Sequence, residues 1–298
     1  MCKENKIRHI AISPHGDLVA LGEFENMVYV YNINKLRKVS EIKTILDFGG
    51  KRLAVSKKML IAGSWYGGIV AYDIIKKSLL WQRKDLKKVQ ILKFNFKQDK
   101  IFALFNNESL QILDSKTGKT IEKIRNVINI YENPADSEIL ILKEKKISPN
   151  ILKPYNVATY SLKRKEIISD VEDSYRGVLD LEFLPRGFVV SEVGGNLKIY
   201  LRRKLFLEYK PKKGTHILKI GYNQAMKNLY WIEWPYEKGG YKKLVEFDIS
   251  KGEIKRTKIL DKNSSTEEFA LNSSILIIST GEIIDICSFK TKSYIDLK

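Results

Sequence analysis

Seven times along the chain an apolar run closes on a large residue, the chain turns, and a Lys or Arg follows. The closing residues are Tyr31, Tyr72, Leu113, Tyr160, Tyr200, Phe247 and Cys287, separated by 41, 41, 47, 40, 47 and 40 residues. A recurrence of about 40 to 45 residues built from short strands is the period of one blade of a β-propeller. The recurrences run from end to end without a linker. The 298 residues are therefore expected to form one all-β domain, a seven-bladed β-propeller with four antiparallel strands per blade.

The first repeat sets the template. Ile7 to Ser13 is followed by a Pro14-His15-Gly16-Asp17 turn, then Leu18 to Glu23, Met27 to Asn32, a basic turn and Lys38 to Ile42. Turn residues between alternating apolar runs are the hairpin signal, and these four runs are read as strands A, B, C and D. The same pattern places blades at about 7–45, 52–84, 89–125, 127–169, 178–210, 216–259 and 267–298. Helical repeats of similar period would space apolar residues by three and four, whereas here they alternate or run in blocks rich in β-branched residues. A two-sheet sandwich would not give seven copies of one four-strand unit.

Two stretches carry a family resemblance. Ile10-Ala11-Ile12-Ser13-Pro14-His15-Gly16-Asp17-Leu18-Val19-Ala20-Leu21-Gly22 with Val28-Tyr29-Val30-Tyr31-Asn32 resembles a WD40-type repeat. Gly68-Ile69-Val70-Ala71-Tyr72-Asp73 with Leu80-Trp81, and Leu113-Asp114-Ser115-Lys116-Thr117-Gly118-Lys119, are similar to the quinoprotein-like repeat. The chain lacks the Gly-His pair and Trp-Asp ending of the first family and the adjacent cysteine pair of the second. What the resemblance implies is architecture, because such folds host many unrelated functions.

Departures from the repeat point to what was added to the scaffold. From the start of strand B to the closing residue, most blades need 12 or 13 residues, but Ile139 to Tyr160 takes 21 and Leu229 to Phe247 takes 18. The extra segments fall between strands B and C, on the side of a propeller conventionally called the top. They contain Tyr155 in blade four and Trp234, Tyr236 and Tyr241 in blade six, while blade two places Trp65 and Tyr66 in the same loop without lengthening it. Tryptophan and tyrosine among prolines and glycines give a large contact area at low entropic cost, as partner-binding surfaces favour. Trp65 and Trp234 have a second possible role, folding back as lids over neighbouring blades.

Charge also sorts by loop. The ends of strand B carry Glu23, Glu144, Glu192 and Glu233, a possible acidic ring near a channel mouth. The turns from C to D carry Lys76 and Lys77, Lys163, Arg164 and Lys165, and Arg202, Arg203 and Lys204, a possible anion-binding or nucleic-acid-binding rim. A net charge of +18 invites an anionic partner. Only 11 of the 53 basic residues are Arg, whereas bidentate readers of phosphate and bases favour Arg. Lys also suits solvated hairpin turns for their own sake.

No catalytic constellation is evident. Thr117-Gly118-Lys119-Thr120 ends like a phosphate-binding loop but has Leu113 where that motif needs Gly, and a hairpin is expected to follow it. His9, His15 and His216 stand in no metal-binding spacing, and Cys2 and Cys287 fit no metal or redox motif, so no metal or cofactor is expected. With no apolar run of membrane-spanning length and a charged amino-terminal stretch, no integral membrane association and a cytoplasmic location are expected. The leading expectation is a non-catalytic scaffold or adaptor holding another protein on its top loops. The alternatives are an RNA- or DNA-associated subunit using the basic rim and, more weakly, a hydrolase with carboxylates at the channel mouth.

Overall fold

The computed structural model describes residues 9–23, 26–46, 52–132, 138–144, 155–175, 177–235, 240–260, 269–271, 274–278 and 282–294. Blade one is β1 (His9–Ile12), β2 (Leu18–Gly22), β3 (Met27–Asn32) and β4 (Arg37–Lys43). Blade two is β5 (Arg52–Val55), β6 (Met59–Gly63), β7 (Ile69–Asp73) and β8 (Leu79–Arg83). Blade three is β9 (Val89–Phe94), β10 (Lys100–Phe105), β11 (Ser109–Asp114) and β12 (Thr120–Arg125). Blade four is β13 (Val127–Glu132), β14 (Glu138–Glu144), β15 (Tyr155–Ser161) and β16 (Glu166–Tyr175). Blade five is β17 (Val178–Leu184), β18 (Gly187–Glu192), β19 (Leu197–Leu201) and β20 (Lys204–Tyr209). Blade six is β21 (Thr215–Asn223), β22 (Asn228–Pro235), β23 (Lys243–Asp248) and β24 (Glu253–Ile259). Blade seven is β25 (Phe269–Leu271), β26 (Ile275–Ile278), β27 (Glu282–Asp285) and β28 (Lys290–Tyr294).

Each group forms one four-stranded antiparallel sheet in chain order, and the fold is an all-β seven-bladed β-propeller. The chain divides into two compact units, Met1–Ile139 with Ile295–Lys298, and Leu140–Tyr294. Blades one to three belong to the first unit and blades five to seven to the second; the division falls within β14 of blade four. Among the described residues no helix is long and apolar enough to cross a membrane.

Alternation along the middle strands explains why they read as apolar runs. In blade two, Leu60, Ala62, Val70 and Tyr72 pack against Leu18, Ala20, Val28 and Val30 of blade one. Their neighbours Ile61, Ile69 and Ala71 pack against Leu92, Phe94, Ile101 and Phe105 of blade three. The second unit repeats the arrangement: Leu229 and Trp231 face blade five, whereas Tyr230 and Ile232 face blade seven. A strand covered on both faces has no polar side, so periodicity of two is hidden within a continuous hydrophobic block. Strand D is the exposed edge, and β12, β20 and β24 are mostly solvent-facing.

The hairpins joining strands C and D share one construction. In every blade the C–D ladder shifts register by a bulge just before one residue: Tyr31, Tyr72, Leu113, Tyr160, Tyr200, Phe247 or Ile284. The last corrects the sequence reading. Ile275 pairs with Asp285, so Ile284 closes strand C of blade seven, and Cys287 is an exposed residue of the turn beyond it. Counting a standard interval from Ile275 overshot, because β26 and β27 are only 4 residues long each, against 6 each for β10 and β11.

The residue after the bulge caps the turn. Side-chain oxygens of Asn32, Asp73, Asp114, Asp248 and Asp285 accept backbone N–H bonds from Lys35, Ile75, Thr117, Ser250 and Ser288 at 2.8 to 2.9 Å. This is the local bonding for which Asp and Asn are favoured in turns. The Thr117 hydroxyl holds the Asp114 carboxyl below the ordinary carboxylate range, and the Ser288 backbone does the same for Asp285. A depressed folded value means that the stabilisation is complete above the unfolded value, about 3.9, and is lost as pH falls through the lower folded one. Thermal melts taken between about pH 6 and pH 2 should therefore lose Tm mainly below about pH 4, and an Asp114→Ala, Asp285→Ala double variant should lose less across that window.

Five residues beyond the bulge the chain turns left-handed: φ is 48° at Leu36, 54° at Lys77, 69° at Gly118, 58° at Lys165, 71° at Gly252 and 57° at Phe289. Blade five instead uses a tighter turn with Arg202 and Arg203 both positive, at 49° and 67°. For a residue with a Cβ this conformation costs roughly 1–2 kcal/mol, offset in part by the extra freedom of an unfolded glycine, roughly 0.5–1 kcal/mol. Lys77→Gly should accordingly stabilise the protein by about 0.5–1 kcal/mol. Thermal denaturation checks this, and a lower Tm for the variant would contradict it.

Candidate partner-binding surface

The blade-two loop is held by its glycines. Ser64 accepts the Gly67 N–H at 3.3 Å and the Val89 N–H at 3.2 Å, while the Gly68 N–H donates to Leu86 at 2.8 Å. Gly67 and Gly68 have φ of 115° and 91°, and a Cβ on Gly67 would stand 2.8 Å from the Leu86 carbonyl oxygen. Only glycine permits the loop to lie this close to the segment leading into blade three. The Ser64 hydroxyl accepts the Tyr66 N–H at 3.0 Å, which completes the turn.

This bracing displays two aromatic rings. Trp65 is 38% and Tyr66 73% exposed. The Lys88 ammonium sits 3.0 Å from the centre of the Trp65 ring, a cation–π contact that fixes the indole without burying it. Trp65 is thus partly covered by a lysine rather than sunk into a neighbouring blade.

In the second unit, Trp234 is 36% and Tyr241 39% exposed, and the Lys242 ammonium lies 5.2 Å from the Trp234 ring centre. The blade-six insertion is only partly loop. His216 pairs with Trp234 and Thr215 with Pro235, so part of the added length extends strands A and B. Glu144 and Tyr155 likewise lie in β14 and β15, at the ends of the blade-four insertion. Tyr236 and the rest of that insertion, 145–154, lie outside the described residues, as does Cys2.

The candidate acidic ring is engaged locally. Glu192 is buried and pairs with Lys198 at 3.2 Å. Glu233 accepts the Tyr209 hydroxyl at 3.0 Å and the Trp231 indole N–H at 3.2 Å, and burial together with this carboxylate pushes the Tyr209 phenol well above its ordinary value. Glu23 takes a long bond of 3.4 Å from the Tyr29 hydroxyl. These contacts assign Glu192 and Glu233 to holding strands together. Among the described residues, no three of His, Cys, Asp and Glu gather as metal ligands would.

The basic rim residues Lys76, Lys77, Lys163, Arg164, Lys165, Arg202, Arg203 and Lys204 are all exposed, in or beside C–D turns. Arg164 has a carboxylate within reach, Glu166 at 3.9 Å. Thr117 and Gly118 also belong to a C–D turn, followed by β12 rather than a helix.

Sequence reasoning missed the most deeply buried charge among the described residues. Glu246 is fully buried, and although burial raises its pKa, hydrogen bonds from Arg256, Tyr230 and Asn228 outweigh that and lower it. The same Arg256 donates to the carbonyls of Cys287 and Ile286 at 2.8 Å and stacks 4.8 Å from the Phe289 ring centre. Its role is to tie blade six to the C–D turn of blade seven.

No protein-family model and no curated protein sequence matches the chain. Gly67→Ala should cost about 1–3 kcal/mol by forcing a side chain into a disfavoured conformation against the Leu86 carbonyl. It should also shift Trp65 emission to the red as the Lys88 contact is lost. Unchanged emission and Tm would show that the loop is not braced as described.

Proposed function

We propose that the chain is a non-catalytic platform of the WD40-like or quinoprotein-like repeat class, holding a protein partner on its B–C loops. The observation that carries this reading is the glycine-braced loop that presents Trp65 and Tyr66 to solvent, with the Trp65 ring held by Lys88. Ordering a contact residue before association removes part of the entropic cost of binding, and aromatic residues are the side chains most often found as anchors. Trp234 and Tyr241 form a second exposed aromatic set in the other unit. The carboxylates considered for catalysis lend little support to a hydrolase, since Glu192 and Glu233 are engaged in local bonds.

Affinity capture of the full chain after nuclease treatment tests the platform. Trp65→Ala and Trp234→Ala should each reduce recovery of a specific partner at least tenfold; if both leave every recovered partner in place, the assignment to these loops is wrong. The basic turns of blades four and five favour a second reading, binding of nucleic acid. Lys163 to Lys165 and Arg202 to Lys204 stand exposed, and among the described residues one carboxylate, Glu166 at 3.9 Å from Arg164, is in reach of them. Such binding would weaken steeply between low and physiological salt as counterions are released. Absence of binding to single- or double-stranded nucleic acid at low salt would remove this reading.

A further inference from the structure

A cleft of about 190 Å³ lies in the first unit between the segment that leaves blade two and the strands of blade three. Its lining includes Arg83, Asp85, Lys87, Asn107, Gln111 and Lys123. Each side-chain acceptor among these six already holds at least one bond. Asp85 takes the Arg83 Nε at 2.7 Å on one oxygen and an Arg83 terminal nitrogen at 2.6 Å on the other. The Asn107 side-chain oxygen accepts the Ser109 hydroxyl at 2.7 Å, and that of Gln111 accepts the Thr120 hydroxyl at 2.9 Å. Arg83 is engaged as well: its other terminal nitrogen donates to the Gly118 carbonyl at 2.8 Å, so three of its five N–H groups are in use.

What remains are donors. Among the described residues, the ammonium groups of Lys87 and Lys123 and the amide nitrogens of Asn107 and Gln111 have no partner, and all four side chains border one small space. A cleft whose unpartnered side-chain groups are all donors, two of them cationic, favours an oxyanion. An ionised carboxylate offers about four acceptor positions on two oxygens, matching these four groups. Arg83 already holds Asp85 through its Nε and one terminal nitrogen, so a phosphate would lack that bidentate fork and meet lysine ammonium groups instead.

The cleft adjoins the displayed aromatic loop. Lys87 precedes Lys88, whose ammonium covers Trp65, and Leu86 accepts the Gly68 N–H. We infer that the partner is recognised here through an acidic segment, with a Glu or Asp carboxylate seated in the cleft between Lys87 and Lys123 and an apolar neighbour resting on Trp65 and Tyr66. This rests on the platform reading and gives it a partner chemistry.

The test titrates the full chain, by calorimetry, with a capped peptide alternating Glu and Leu and with its Gln-for-Glu counterpart. Single-stranded oligouridylate and inorganic phosphate serve as competitors. The acidic peptide should bind and the Gln peptide should not. Lys87→Gln with Lys123→Gln should weaken binding at least tenfold at unchanged Tm, since both lysines are exposed, and neither competitor should displace the peptide. Peptide affinity unaltered in the double lysine variant overturns the cleft assignment. So does displacement by oligouridylate or phosphate, or failure of the acidic peptide to bind. If the lysine variant binds normally while Trp65→Ala does not, the cleft falls and the aromatic platform stands; if only the lysine variant loses binding, the cleft stands and Trp65 is not its companion.

Discussion

Burial of the middle strands on both faces is the constraint from which the rest of this structure follows. A sheet with one solvated face can end anywhere, but a sheet such as blade two, whose Leu60 and Ile61 point to opposite neighbours, is stable only between two others. The demand for apolar side chains on both faces thins polar chemistry in strands B and C, and buried carboxylates that remain there, such as Glu192 and Glu246, are tied into ion pairs. Charged and aromatic residues free to meet a partner are left to the loops, the exposed fourth strand and the segments that carry the chain from one blade to the next.

Polar residues that do occur inside serve the joints between blades. The Trp81 indole donates to the Ser115 carbonyl at 2.9 Å, Asp180 accepts the Ile220 N–H at 2.8 Å, and Arg256 reaches the turn of blade seven. In each case a side chain of one blade satisfies a backbone group of the next, and an unpaired buried backbone group would be costly. Neighbouring blades are thereby fixed in register as well as packed.

Much of this architecture was legible because it is local. Closing residues such as Tyr72 and Leu113, the acidic residue after them and the turn that follows are adjacent in sequence, and one hairpin suffices to specify them. Cys287 was misread because Ile-Ile-Asp-Ile-Cys offers several places to end a strand, and cross-strand pairing rather than composition decides among them. The left-handed positions at Leu36, Lys77, Lys165 and Phe289 carry no glycine to announce them, unlike Gly118 and Gly252. Trp65 and Tyr66 stood out by composition, but the Lys88 contact joins the blade-two loop to the segment leading into blade three. The cleft was invisible to sequence, since Lys87, Asn107, Gln111 and Lys123 acquire common meaning only once Arg83 has claimed Asp85.

The segment from Arg83 to Val89 does two jobs. It is the hinge pin between blades two and three, bonded to Gly118 on one side and to Ser64 and Gly68 on the other, and it also supplies Lys87 and Lys88 to the candidate surface. A ligand gripping Lys87 would hold the pin as well as the loop. Occupancy would then be transmitted along the backbone as reduced breathing of the joint, with slower amide exchange at Gly68 and Val89 although neither residue meets the ligand.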